Sequence, residues 1–249
     1  FSDGTHAVVG EFSYPSIELV RQENQGQCAA LNTGISRARG EYIKFLDADD
    51  VMNRAHLSAQ LRRIEGHDAL ISSCRWGYFY DFPDDAECPS ETTHRDYDDP
   101  MDWIVDSLME DEGMMGGWMW LIPRSVLEKA GHWDTRLSLN NDFDFSIRVL
   151  LAAGGVRFAP EARLYYRNVR EPSLSGSSDR SAMESAFLTT KLGVESILER
   201  ENSPRTRRIC ADRFRRWLFE FYPAHPDLAA RSERWIRRLG GSDVQPEGG

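Results

Sequence analysis

The chain has 249 residues, a formal net charge of −10 and a pI near 5.1, which excludes nonspecific nucleic-acid binding as its main task. Hydrophobic residues make up 41% and charged residues 28%, the balance of an ordinary folded protein, and no apolar run reaches the roughly 20 residues that span a bilayer. The four cysteines, Cys28, Cys74, Cys88 and Cys210, are scattered without a C-x-x-C pair; they read as reduced thiols of a cytoplasmic protein, not as a zinc site or disulfide framework.

Taken in order, Asp3-Gly4-Thr5 is a turn. A short helix and then a strand near Ile17 to Arg21 are expected in residues 7–20. Cys28, Leu31, Ile35 and Ala38 recur at helical spacing, with Gly40 placed to end the helix. Tyr42 to Leu46 is an apolar strand, and it runs straight into Asp47-Ala48-Asp49-Asp50. In an extended segment Asp47 and Asp49 project to one side, where their oxygens suit Mg²⁺ or Mn²⁺ shared with a substrate phosphate. An Asp-rich turn with an acid at the next helix entry would give the same pattern.

Asn53 is placed to cap a helix with the face Leu57, Leu61 and Ile64 that ends near Gly66. Ala69 to Tyr80 is β-prone. The acidic stretch Asp81 to Asp99 lacks periodicity and reads as a mobile surface loop, with a lid as the alternative. Pro100 opens a helix through Glu110 with Met101, Ile104 and Leu108 buried. Glycines then feed an aromatic strand, and Gly117, Trp118 and Trp120 could offer a close-approach backbone and flat apolar faces to a sugar acceptor, although tryptophans in a strand are also ordinary core.

Pro123 to Ala130 is a helix stopped by Gly131. Asn141-Asp142-Phe143-Asp144 starts another, with Phe145, Ile147, Leu150 and Leu151 apolar, and acids in a first turn are favoured there whatever the function. Val156–Ala159 and Ala162–Tyr166 are two short strands. Residues 181–201, 205–222 and 226–239 are helical, the last two rich in Arg. That composition fits a solvated face or contact with an anionic membrane surface. The tail after Gly240 is expected to be disordered.

The order of these segments resembles the family 2 glycosyltransferases of the GT-A fold. The matching residues are Ser2-Asp3-Gly4-Thr5; Asn24-Gln25-Gly26-Gln27 with Ala29, Asn32, Gly34 and Ala38; Gly40-Glu41-Tyr42; Phe45-Leu46-Asp47-Ala48-Asp49-Asp50; Ala130-Gly131-His132-Trp133-Asp134; Asn141-Asp142-Phe143-Asp144; and Tyr165-Tyr166-Arg167. The resemblance implies an α/β fold, a Rossmann-like mixed sheet flanked by helices and lacking its first strand. It covers residues 1–175, with a helical extension over 176–240 and a tail over 241–249. It also implies inverting transfer of a sugar from a nucleotide-diphosphate sugar, expected to be a UDP-sugar, to a hydroxyl of a glycan, lipid-linked or protein acceptor.

By the same resemblance, Asp3 holds the base, Asp47 lies near the ribose, Asp49 binds Mg²⁺ or Mn²⁺ at the diphosphate, and Asp142 is the general base. Several positions depart from the family. Ser2 stands where a second Asp is frequent, and Asn141 replaces a Glu. A His after Tyr-Arg is absent, leaving Arg167 or Arg170 to meet the diphosphate. The first βαβ unit has no counterpart, so this stretch alone is expected to bind donor weakly or not at all. The alternatives are a nucleotidyltransferase on a related scaffold and a noncatalytic domain that binds a partner through the Arg-rich helices. The expected location is cytoplasmic, at the inner face of the membrane if the basic helices rest there.

Overall fold

The computed structural model describes residues 4–12, 14–109, 114–168 and 176–245. Its centre is a five-stranded mixed sheet in the order β1 (Tyr42–Lys44), β4 (Leu121–Pro123), β3 (Leu70–Phe79), β5 (Gly155–Arg167), β2 (Val51–Met52). β3 and β5 pair in parallel, from Leu70 with Gly155 to Phe79 with Arg167. β4 runs antiparallel to both β1 and β3. The C-terminal ends of β1, β3 and β5 therefore lie at one edge, together with the chain entering β4. In α/β sheets that edge is where ligands gather.

Three strand expectations change. β1 stops at Lys44, because residues 47–50 close a turn in which the Asp50 amide donates to the Asp47 carbonyl at 3.2 Å. The acids are thus set out by a turn and not by strand alternation. Residues 155–167 form one strand where two were expected. Pro160, Glu161 and Ala162 bulge out where the register jumps from Cys74–Ala159 to Arg75–Arg163, a place where proline is tolerated. Ile17 to Arg21 is not a strand, and Ile17 and Leu19 are exposed.

α1 (Thr5–Gly10) is short. α2 (Gln27–Arg37) ends three residues before Gly40. α3 (His56–Ile64) buries His56, Ala59, Gln60 and Ile64, while Leu57 faces solvent. Polar Gln60 is buried at no penalty because its amide donates to the carbonyls of Ser72 and Met119 and its oxygen accepts from Lys44, satisfying the groups that burial would otherwise strand. Asn53 does not cap α3; its side chain bonds the backbone of Glu161 and Arg163.

The acidic stretch 81–99 is held down over its second half. Tyr97 pairs with Val156 through both backbone bonds, Asp96 accepts the Phe158 amide at 2.9 Å, and His94 stacks on Phe158 at 4.6 Å. Polar spacing had concealed this side of β5, which β2 is too short to cover.

α4 (Pro100–Met109), α5 (Arg124–Ala130) and α6 (Asn141–Ala152) pack near the sheet, with Glu110 outside the described residues. α7 (Arg180–Arg200), α8 (Pro204–Phe221) and α9 (Pro226–Leu239) follow with local signals intact. Asp179 caps α7, and Ser203 and Thr206 form a capping box on α8 ahead of Pro204 at its start, as their chemistry favours. The Gly193 Cα lies so close to Phe143 that a Cβ would meet the ring at 2.5 Å, so α7 rests directly on α6. One apolar cluster runs from Ile43 in the sheet to Phe221 and Leu239 in the last helices. Residues 241–245 are laid on α8, with Ser242 donating to Asp212 and Arg215 to the Val244 carbonyl; 246–249 lie outside the described residues. Among the described residues no helix is long and apolar enough to cross a membrane.

Candidate active site

At the C-terminal edge of the sheet, the turn after β1 gives its acids three different surroundings. Asp47 is half-buried, Asp49 exposed and Asp50 buried. Burial, then the neighbouring Asp49, pushes the Asp47 carboxyl above its usual range, opposed by a bond from Gln27. Asp50 is pushed up to about 7, by burial first. One of its oxygens accepts the Arg167 amide at 3.0 Å, and the other is buried without a partner.

Arg167, at the end of β5, closes this corner. Its Nε donates to the Asp49 carbonyl at 3.1 Å and its Nη1 to the Tyr80 carbonyl at 3.2 Å, with the guanidinium over the Phe79 ring at 4.5 Å. The 79–167 register sets that stack. A cation fixed beside the acidic turn by neutral carbonyls keeps its charge available to an anion.

Asp142 comes from the opposite wall, in the first turn of α6. It is half-buried, and its Oδ1 accepts the Gly117 amide at 2.6 Å. Its carboxyl is pushed up to about 7, by burial first, with the Gly117 bond opposing and the charge of Asp47 adding. The helix N-terminus acts to lower it; burial prevails. The coupling to Asp47 places the two acids in one electrostatic neighbourhood. Asp144, two residues on, is instead neutralised by Arg148 at 2.8 Å, which separates a structural acid from a free one.

A polar bridge joins the two walls. Gln27 at the start of α2 donates to Asp47 at 3.3 Å and accepts from Asn141 at 3.1 Å, and Asn141 also reaches the Cys28 sulfur at 3.2 Å. Sequence reasoning had Gln27 and Asn141 in matching segments but gave neither a role, because only the fold brings them within reach. The loop before Asp142 is braced from outside: Asn32 exchanges two bonds with the Trp133 backbone at 2.9 Å, Ser185 of α7 bonds Ser138 and Leu139, and Arg213 of α8 donates to Asn140 at 3.0 Å. Asn140 holds a positive φ of 62°, a conformation that asparagine tolerates better than most residues.

The expected acceptor residues divide. Gly117 lies against Asp142. Trp118 is 3% exposed and packs on Trp76 and Tyr166. Trp120 is 0% exposed, edge-on to Trp103, and donates to Ser146 at 3.0 Å. It leaves no face open to a ligand, which corrects its reading as a sugar platform. Replacing Trp120 by Phe should cost about 1–3 kcal/mol in urea unfolding with no change in acceptor KM. Asp3 and Arg170 lie outside the described residues.

The donors at the acidic turn are hard oxygens, and the unpartnered Asp50 oxygen shows an unmet need for a cation or proton there. No group of three metal-ligating side chains occurs among the described residues. The set fits Mg²⁺ or Mn²⁺ bound through one or two carboxylates plus substrate phosphate, and not a protein cage.

Comparison with known proteins gives the fold and the family. Glycosyltransferase EpsH of Bacillus subtilis is 31% identical over 154 residues, 60% of this chain and 44% of that protein. The chain thus spans less than half the length of this relative. Among solved structures, S. aureus TarS 1-349 superposes with a TM-score of 0.67 at 15% identity, covering 96% of this chain and 69% of that one. GalNAc-T7 with UDP, GalNAc and Mn²⁺ superposes at 0.53 with 13% identity over 96% of this chain and 46% of that one. Both likenesses establish the GT-A fold. The family model "Glycosyl transferase family 2" matches residues 1–131, more than half of the sequence, and the chain belongs to that family.

Proposed function

We propose that this chain carries the catalytic centre of an inverting glycosyltransferase that moves a sugar from a UDP-sugar to an acceptor hydroxyl in glycan or polysaccharide synthesis. The observation that carries the reading is Asp142, a half-buried carboxylate held by the Gly117 amide with its pKa near 7, across a polar bridge from the acidic turn. A base with a pKa near the working pH suits removal of the acceptor proton as the oxygen attacks the anomeric carbon. With Oδ1 fixed by Gly117, Oδ2 is left to receive that proton. One base on the face opposite the leaving group is sufficient for a single in-line displacement with inversion.

On the donor side Asp47 takes the ribose, Asp49 the metal and Arg167 the diphosphate, with Asp50 holding Arg167 in place. A Mg²⁺ or Mn²⁺ ion bound there supplies Lewis-acid neutralisation of the departing diphosphate. The base-binding role of Asp3 rests on the family resemblance. Solved neighbours support the donor class: the same TarS fragment has been crystallised with UDP-GlcNAc, and superposes with a TM-score of 0.60 at 13% identity.

The test is a thermal shift with UDP and Mn²⁺ on the protein carrying this sequence. A Mn²⁺-dependent rise in Tm is expected, weakened about 10–100-fold in apparent affinity by Asp49→Asn. An undiminished shift in that variant would remove Asp49 from the metal site, and no shift in the wild type would overturn donor binding.

A further inference from the structure

Away from the active site, α7 and α9 enclose a cleft of about 280 Å³ lined by Phe187, Lys191, Arg231, Arg234, Trp235 and Arg238. We infer that this cleft is a second binding site, one that takes a phosphoryl group carried by a ligand other than the sugar donor.

Three features of the cleft point to an anion. The first is charge without compensation. In a chain of net charge −10, Arg231, Arg234 and Arg238 have no acidic partner among the described residues. The nearby acids are taken by other cations: Glu195 by Lys191, Glu233 by Arg237, and Glu184 and Asp227 by Arg180. Arg231 with Arg234 and Arg234 with Arg238 stand three and four apart on one helix, where like charges repel. The helix C-terminus favours Arg238, but it does not reach Arg231 or Arg234.

The second is preorganisation. The Arg231 guanidinium lies 4.0 Å from the Phe187 ring centroid and that of Arg238 lies 5.1 Å from Trp235. Trp235 is itself stacked on Phe214 at 5.2 Å and 11°. A guanidinium lying on a ring keeps its in-plane N–H groups free for the bidentate geometry that phosphate oxygens accept.

The third is size. A space of about 280 Å³, open to solvent on one side, is enough to seat one phosphoryl group with a small substituent between the arginines. A phosphomonoester or phosphodiester could come from a soluble chain or from a lipid headgroup, and both present the same oxygens.

The experiment measures binding of sn-glycerol 3-phosphate by calorimetry, and of phosphatidylglycerol-containing vesicles by co-sedimentation with phosphatidylcholine vesicles as reference. Wild type is compared with the double variant Arg234→Glu, Arg238→Glu and with Arg237→Glu, whose side chain pairs with Glu233 outside the cleft. All three side chains are exposed, so circular dichroism should be unchanged and Tm lowered only slightly, through loss of the Arg238–Trp235 and Arg237–Glu233 contacts and of basic charge at the helix C-terminus. Saturable binding of the soluble ester, weakened about tenfold or more by the double variant and by added salt but not by Arg237→Glu, supports the site with a soluble ligand. Binding of the anionic vesicles alone, with the same variant pattern, supports it with a lipid as the source. Absence of both, or equal loss in Arg237→Glu, overturns it, the latter by showing that general charge and not the cleft is responsible. UDP and Mn²⁺ binding at the sheet edge is read separately, so failure here leaves the donor site standing.

Discussion

Asp142→Asn is expected to lower kcat for sugar transfer by about 10²–10⁴-fold while leaving UDP and Mn²⁺ binding intact. Asn keeps an oxygen to accept the Gly117 amide, so the loop should hold its shape, and what is lost is the ability to take a proton. Two further readouts follow from the raised carboxyl. In the wild type, kcat should fall as pH drops through about 7, where the base becomes protonated, and the variant's residual rate should lack that inflection. Stability should move in the opposite sense.

The folded pKa lies above the ordinary value of 3.8, so between these limits the folded state holds a proton that the unfolded state has released. The contribution of Asp142 to stability therefore declines as pH rises from about 4 to about 7 and is lowest above 7. Asn never carries the charge, so Asp142→Asn should be more stable than wild type at pH 8, on the order of 1–3 kcal/mol, less than complete burial would give because the carboxylate keeps some solvent contact. The difference should shrink toward pH 4. Thermal melts across that range check it. A variant that loses activity and stability together at pH 8 would make Asp142 a structural acid, as Asp144 is.

Composition and spacing do not separate Asp142 from Asp144, two acids in one helical turn; only the family resemblance pointed to Asp142. What was legible was local. The helical periodicity over residues 181–201, 205–222 and 226–239 gave α7, α8 and α9, and the order of motifs gave the family and the sheet-edge location of Asp47 and Asp49. What was not legible depends on distant partners. Leu57 looked like core and is exposed, whereas Gln60 is buried because Lys44, Ser72 and Met119 meet its amide. Pro160 looked like a break between strands and is part of a bulge within β5, because the pairing with β3 resumes beyond it. Trp120 and Gly117 were read as one acceptor surface; the turn before β4 sends the indole into the core and leaves the glycine amide on Asp142.

Gly117→Ala should expose how tightly that amide is positioned. A Cβ at Gly117 would sit 2.7 Å from the Trp133 ring and 3.0 Å from the Asp142 carboxylate. Trp133 cannot retreat easily, since it is stacked on Phe145 at 3.8 Å and its backbone is tied to Asn32. The methyl must therefore displace the Gly117 backbone or the carboxylate. Overpacking of this kind costs about 1–3 kcal/mol, measurable by urea unfolding, and shifts the carboxylate by enough to lower kcat about 100-fold. Donor affinity should hold, because Asp49 and Arg167 belong to the other wall. Smaller losses should follow Arg213→Ala, which removes the α8 brace on Asn140 without touching the carboxylate. If Gly117→Ala kept full kcat, the hydrogen bond to Asp142 would not be what aims the base, and the acceptor side of the site would have to be organised by other contacts of the α6 N-terminus.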